Sequence, residues 1–579
     1  MKLLLLGLVA CGAAPVPPPP AASPLVPPIQ LTRIVKQYWD DYLQLNSQSA
    51  SAAGDTRFDN RLGNKISPQY LADSLALERR YLRAVSSVSR TALDADLRLS
   101  FDIFKAEREL NIEGYTYPAE LLPVNPFEGM AQQFIREASA AGWQSPSNVR
   151  DYDNWLARIN DFVQWTDQAI ANMREGLRRG YTLPRIVVEK TLPQLEHLAE
   201  DTPTNPFYIR GHDKTPLTMR LNSAVKDRIL PAYRQLHDFL QKEYLPRART
   251  TVALSALPLG ESWYAFLIKR ETSSRLTAPE IHSLGLAEVA RLRSQLQAML
   301  VVNPITRWPP RSYANAQDLV AGYQTISRKI ATATPALFSL IPQADFDIRA
   351  ATGFGNADMD GAKLYYRRAT PDGKSPAVLL VNAADISTYP SFRMESLFLQ
   401  EAVPGHHYQL TLQQERLKLP RFRRFGSAPA FVEGWGLYAV SLGEELGIFR
   451  DADSKIGSIV AQLECAIGLV IDTGVHAKGW TRPQALEYVR AQTPPGLADL
   501  NAIDANIMVD RSIALPGQAL ACKIGELRIR ALRSRAQSSM GARFDIRAFH
   551  AEILQDGAMP LDILAAKIEE WIKSSNTAH

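Results

Sequence analysis

The stretch Phe398-Leu399-Gln400-Glu401-Ala402-Val403-Pro404-Gly405-His406-His407-Tyr408-Gln409 sets a glutamate, a broken turn and two histidines in succession. Those residue types suit metal-assisted hydrolysis, with Glu401 as base toward a metal-bound water and an imidazole as ligand. Met394, Leu397 and Phe398 place the stretch on an amphipathic helix. Pro404 lacks the N–H that would bond the carbonyl of Gln400, so the helix must kink or stop there. Gly405 then permits a turn that presents His406 and His407. Neighbouring helical residues point about 100° apart, so one histidine is expected as a ligand and the other as its support. A polar helix end capped by imidazoles would use the same residues.

Three further segments carry groups of this kind. Phe431-Val432-Glu433-Gly434-Trp435-Gly436-Leu437-Tyr438-Ala439-Val440 opens a helix with Glu433 expected in its first turn. Glu433 there is either a further metal ligand or a partner of the helix dipole. Trp435 and Tyr438 are expected beside the histidines. Asp472-Thr473-Gly474-Val475-His476 sets an acid and an imidazole four apart on one helix face. That is the spacing of an oriented imidazole, and equally of a buried, mutually satisfied pair. Leu515 to Gly525 reads as a proline-initiated helix whose Gln518 and Lys523 could line a pocket. No G-x-S-x-G elbow, phosphate loop, G-x-G-x-x-G or literal H-E-x-x-H is present.

Taken together, P-G-H-H, E-G-W, D-T-G-x-H and P-G-Q-A in this order resemble the bacterial family known as domain of unknown function eight-eight-five. That family is similar in fold to the helical zinc metallopeptidases. The resemblance covers nearly all of the chain after residue 28, including Gly260-Glu261-Ser262-Trp263-Tyr264, the stretch from Leu276 to Val289 and the hairpin from Tyr365 to Asn382. It implies zinc-dependent hydrolysis of peptide-like amide bonds. Glu401 would be the base, His406 or His407 and Glu433 the metal ligands, and His476 a stabiliser of the transition state. Gln400, Trp435, Tyr438, Asp472, Gln518 and Lys523 would line or support the cleft. The departures are specific. Gln400 stands where the family pattern has histidine, Val440 where it has a glutamate, and Ser512 and Cys522 where it has tyrosines. Glutamine is a weak neutral ligand and valine is none, so zinc is expected to bind weakly or not at all. The alternative is a catalytically silent protein that holds a peptide or envelope partner in the same cleft. Because positions 433 and 440 are seven apart, both are expected to face that cleft.

These groups need a scaffold, and the apolar periodicity is overwhelmingly helical. Ser67-Pro68 caps and opens one helix, and similar periods run through 147–178, 220–245, 278–300, 316–335, 452–477 and 559–574. DFDIRA, KLYYRRA and AVLLVNAA, between Phe346 and Ala384, read as short strands, with Pro371-Asp372-Gly373 as a turn. The expected fold is mainly α: one large zincin-like helical domain over 29–579, with a deep cleft and one small β-sheet whose edge lies beside it. The N-terminus is a different kind of segment. Residues 1–10 read as a signal peptide, and Leu8-Val9-Ala10-Cys11 looks like a bacterial lipobox. Cys11 is the expected lipid acceptor, and residues 11–28 form a Pro/Ala-rich tether. Gly12 after the cysteine resembles the outer-membrane sorting rule, so a periplasm-facing outer-membrane lipoprotein is expected, bound to the membrane only through that anchor. A net charge of +5 over 579 residues, with dispersed cations and 46% apolar residues, excludes a charge-driven nucleic-acid binder. Cys465 and Cys522 could make at most one disulfide; lying in apolar helical contexts, they are expected as buried thiols instead.

Overall fold

A computed structural model describes residues 26–138, 148–208, 215–303, 312–351, 362–371, 373, 376–387, 389–494, 497 and 503–577. The signal peptide, Cys11 and most of the tether lie outside the described residues. The first helix, Pro27–Leu45, takes up the last two residues of the expected tether, because Pro27 and Pro28 are well suited to a first helical turn.

The chain is mainly helical with one three-stranded sheet. Ser67 accepts a hydrogen bond from the Tyr70 N–H and so opens helix Pro68–Ser86. The expected helices at 149–179, 278–302, 316–333, 452–476 and 561–577 form within a few residues of the sequence reading. The 220–245 segment is less regular than its period suggests. Pro216–Ala224 passes into a wide turn at Val225–Ile229, then helix Leu230–Phe239, then a second wide turn at Leu240–Tyr244. Each wide turn runs up to a proline, Pro231 or Pro246, whose missing N–H and ring displace the ordinary helical bond.

The strands are β1 (Phe346–Ala351), β2 (Leu364–Arg367) and β3 (Ala377–Asn382), in the order β1-β3-β2. β1 runs parallel to β3 with Phe346 opposite Ala377, and β2 runs antiparallel with Leu364 opposite Val381. Gly373, at φ +71°, donates its N–H to the Thr370 carbonyl and closes the expected turn. Asp372 lies outside the described residues.

Two large apolar clusters fill the interior, and helix Ala452–His476 contributes to both through Ala461 and Leu469 on one side and Leu463 and Ile467 on the other. By length and composition this helix could cross a membrane, yet 78% of its apolar window is buried inside the body, so it serves as the central core helix. One expectation is corrected here. Cys465 on this helix is joined to Cys522 on helix Ala521–Met540 by a disulfide, with Cα atoms 6.1 Å apart. Two helices that pack side by side bring together thiols 57 residues apart, a pairing that no local spacing signals.

Candidate functional site

Helix Met394–Glu401 ends where expected, and a new helix, His406–Glu415, begins after Pro404-Gly405. The Pro404 carbonyl accepts a 2.7 Å hydrogen bond from the Trp435 indole N–H, which ties the break to the neighbouring helix Pro429–Ser441. Gly405 is required for closeness, not for a left-handed backbone. Its φ is −78°, but a Cβ there would lie 1.8 Å from the Gln400 carbonyl oxygen.

The break turns the two histidines in different directions. His406 Nε2 lies 4.0 Å from Glu401 Oε1 and 3.6 Å from Glu433 Oε2. His407 points the other way, its ring 4.4 Å from that of Phe346 on β1 and its Nδ1 3.1 Å from the Tyr366 hydroxyl on β2. The small sheet thus supports the cluster from behind: Tyr366 braces His407, and its backbone N–H bonds Glu401. Burial pulls the His407 pKa down to about 4, which keeps the ring neutral. Burial also opposes charge on His406, but Glu401 and Glu433 overcome it and hold that imidazole up at about 9. Burial pushes the Glu401 carboxyl up to about 7 although His406 draws it down. Glu433 is buried on one side too, yet His406 holds it below the usual carboxylate range.

Gly436 lets this assembly close. A Cβ there would sit 2.8 Å from His406 Cε1 and 3.3 Å from Gln400 Cγ, so helix Pro429–Ser441 rests directly on both residues. Glu433 is the fifth residue of that helix, beyond the first turn where it was expected, and so is displaced from the dipole's positive end. Its side chain is 47% exposed. Val440, on the same face, is wholly buried in the core, so only Glu433 opens to the cavity. Trp435 is fully buried as the anchor of the break, and the Tyr438 hydroxyl bonds His550 Nε2 at 2.9 Å.

Beside Glu433 lies a cavity of about 550 Å³ whose wall includes Glu464, Arg511, Ser512, Gln518 and the Cys465–Cys522 disulfide. Ser512 and Cys522 therefore do face the site, although both lack a phenol. Gln518 is held there by Arg511 Nε and Glu128 Oε1. Three expected participants are placed elsewhere. His476 is fully buried, with Nδ1 accepting from the Leu254 N–H and Nε2 donating to the Ser512 carbonyl. Both nitrogens are committed to backbone, and burial holds the pKa at about 4, so this ring has nothing left to offer a transition state. Asp472 does not orient His476. It accepts from the Tyr264 hydroxyl at 2.6 Å and from the Gly517 N–H, fixing the P-G-Q turn instead. Lys523 is fully buried, bonded to Gln462 and 3.1–3.2 Å from Glu526 and Glu288, and so is a structural cation.

For zinc, the donor set is one imidazole and two carboxylates, with the neutral Gln400 alongside. If Glu401 is kept as base, His406 and Glu433 leave the site one ligand short of the usual three. Among the described residues, no group of three or more His, Cys, Asp or Glu side chains is arranged to hold a metal ion. His550 and the disulfide were not legible as parts of this region, since neither sits in a local motif.

The family described as bacterial protein of unknown function (DUF885) matches residues 48–568. A crystal structure described as "the putative lipoprotein from Colwellia psychrerythraea" is similar at 23% identity and TM-score 0.86, over 95% of this chain and 100% of that one. A second, described as "a putative lipoprotein of unknown function from Shewanella oneidensis", is similar at 16% identity and TM-score 0.68, over 93% and 99%. These likenesses establish a shared fold. No curated protein matches the chain.

Proposed function

The chain belongs to that bacterial family, and from this premise we propose that it is a periplasm-facing outer-membrane lipoprotein that binds peptide-like ligands in the cleft beside Glu433. The lipid anchor is Cys11, supported by the lipobox-like Leu8-Val9-Ala10 and by the description of both structural neighbours as a "putative lipoprotein". The observation that carries the reading is the cluster itself: one imidazole nitrogen held within 4.0 Å of two carboxylates at the edge of a ligand-sized cavity. On this reading the cluster is a zinc-peptidase-like site with Gln400 and Val440 standing where the family pattern has donors, and zinc-dependent amide hydrolysis is weak or lost. One observation favours retained hydrolysis. A carboxyl titrating near 7 at Glu401 suits proton transfer at neutral pH.

The test is metal content and peptidase activity on the purified chain. Zinc after dialysis should fall well below one per chain, and Gln400→His, alone or with Val440→Glu, should raise it. Because Val440 is fully buried, the single variant guards against misfolding of the double. Stoichiometric zinc in the untouched protein, with peptidase activity abolished by Glu401→Gln, would establish a working enzyme instead.

A further inference from the structure

Three cavities meet at Ser427 and Pro429, where the helix carrying Glu433 begins. They differ in character. The cavity beside Glu433 is acidic, with Glu128, Glu271, Glu433 and Glu464 against the single cation Arg511. The second, about 720 Å³, has a largely apolar wall that includes Leu110, Ile268, Leu276 and Ile563. The third, about 550 Å³, reverses the charge, with Lys65, Arg108, Arg270 and Arg368 against Glu107.

The basic chamber also has donors without acceptors. Trp39 and Arg108 both line it, and they are 6% and 3% exposed. Trp39 Nε1 and Arg108 Nη1 have no hydrogen-bond partner. The rest of the Arg108 guanidinium is engaged: Nε pairs with Glu78, Nη2 lies 3.4 Å from Glu107, and the group lies 3.9 Å over the Tyr38 ring. A buried donor left unmatched costs about 1–3 kcal/mol. Two of them at one chamber mark a place for an acceptor group, and the surrounding cations specify that it be anionic. The one acid in the wall is Glu107, which burial pushes up to about 7 although Arg108, 3.4 Å away, draws it down.

We propose that this chamber receives the terminal carboxylate of a peptide-like ligand whose chain passes Ser427–Pro429 toward Glu433, its amino end facing the acidic cavity. The chamber is thus a second subsite of the peptide-binding cleft, and the orientation rests on that reading of the cleft. Arg270 is the group best placed to test it. It is half-exposed, pairs with Glu271 at 2.7 Å, lines the basic and the apolar cavities alike, and can be changed without opening the core.

The experiment is calorimetric titration of the full chain with three probes: trileucine, trileucinamide and 3-phenylpropionate. Trileucine should bind at least about tenfold more tightly than its amide, as one charge-assisted contact requires. Arg270→Gln should bring that ratio near one, and Trp39→Phe, which keeps a ring but removes the donor, should reduce it. Equal binding of trileucine and its amide to the wild type would overturn the chamber while leaving the peptide reading in place. A preference unchanged in both variants would overturn it too. Binding of 3-phenylpropionate through Arg270 without binding of trileucine would keep the chamber and remove the peptide reading. Failure of all three probes would overturn the chamber.

Discussion

Gly436 decides how closely Glu433 can approach His406. An added Cβ would meet His406 at 2.8–3.0 Å, so the imidazole or the helix that carries Gly436 must shift. Gly436→Ala should therefore cost about 1–3 kcal/mol of stability, as overpacking does, and weaken binding of trileucine. Urea unfolding and titration read the two effects; an alanine variant with unchanged stability and binding would mean the contact is soft. His550 offers a second test at this scale. It is fully buried, accepts from the Tyr438 hydroxyl and donates to the Leu337 carbonyl, and burial holds its pKa at about 4. The unfolded chain takes up that proton near 6.5, so the stability due to neutral His550 is whole above pH 6.5 and is lost as pH falls toward 4, by about 1.4 kcal/mol per unit. His550→Gln cannot titrate, so its deficit against wild type should shrink between pH 6.5 and 4.5 in denaturant unfolding. A deficit that does not vary with pH would contradict the assigned neutral form. Asp472, raised to about 7 by burial, acts in the opposite sense over much of this window, which is why the comparison must be between variants. Residue types near the helix break were readable in the sequence, and their partners were not. His406 and His407 differ by one position, yet one meets two carboxylates and the other a tyrosine on a strand. His476 is bonded to a backbone N–H 222 residues away.

At the scale of elements, local signals located the parts and tertiary packing assigned their work. The stop at Pro404 follows from a missing N–H, and the three strands follow from short β-rich runs between turn residues. The wide turns before Pro231 and Pro246 did not show in the apolar period, because such a turn inserts a residue while keeping both flanks amphipathic. The sequence does not signal the disulfide for a related reason: both cysteines sit in apolar helical stretches, and only the packing of Ala452–His476 beside Ala521–Met540 shows that they face each other. That bridge closes a loop of 57 residues, for which the chain-entropy estimate is about 4 kcal/mol and typical values are about 2–4. Cys465→Ser with Cys522→Ser should lower the unfolding free energy by that amount in guanidinium, and a thiol reductant should lower wild type similarly while leaving the variant unchanged. A reductant-insensitive wild type would mean that the bridge is not formed in solution.

At the scale of the whole molecule, anchoring and folding are separable. The described body begins with helix Pro27–Leu45, and its first core contact is Leu31, twenty residues beyond Cys11. Sixteen steps separate Cys11 from Pro27. Because a chain spans at most about 3.6 Å per residue, the body can stand no more than about 58 Å from the lipid surface. That reach would leave the cleft free to meet ligands in the periplasm and would make the membrane a tether with no part in binding. Cys11→Ala should then shift the protein from the membrane to the soluble periplasmic fraction, leaving its melting temperature and its titration with trileucine as in wild type. Fractionation, and mass spectrometry of the N-terminal peptide, read the first outcome, and calorimetry reads the second. A wild-type protein that is soluble with an unmodified Cys11 would remove the anchor. A Cys11→Ala variant that leaves the membrane but loses its ligand would mean instead that the bilayer contributes to the site.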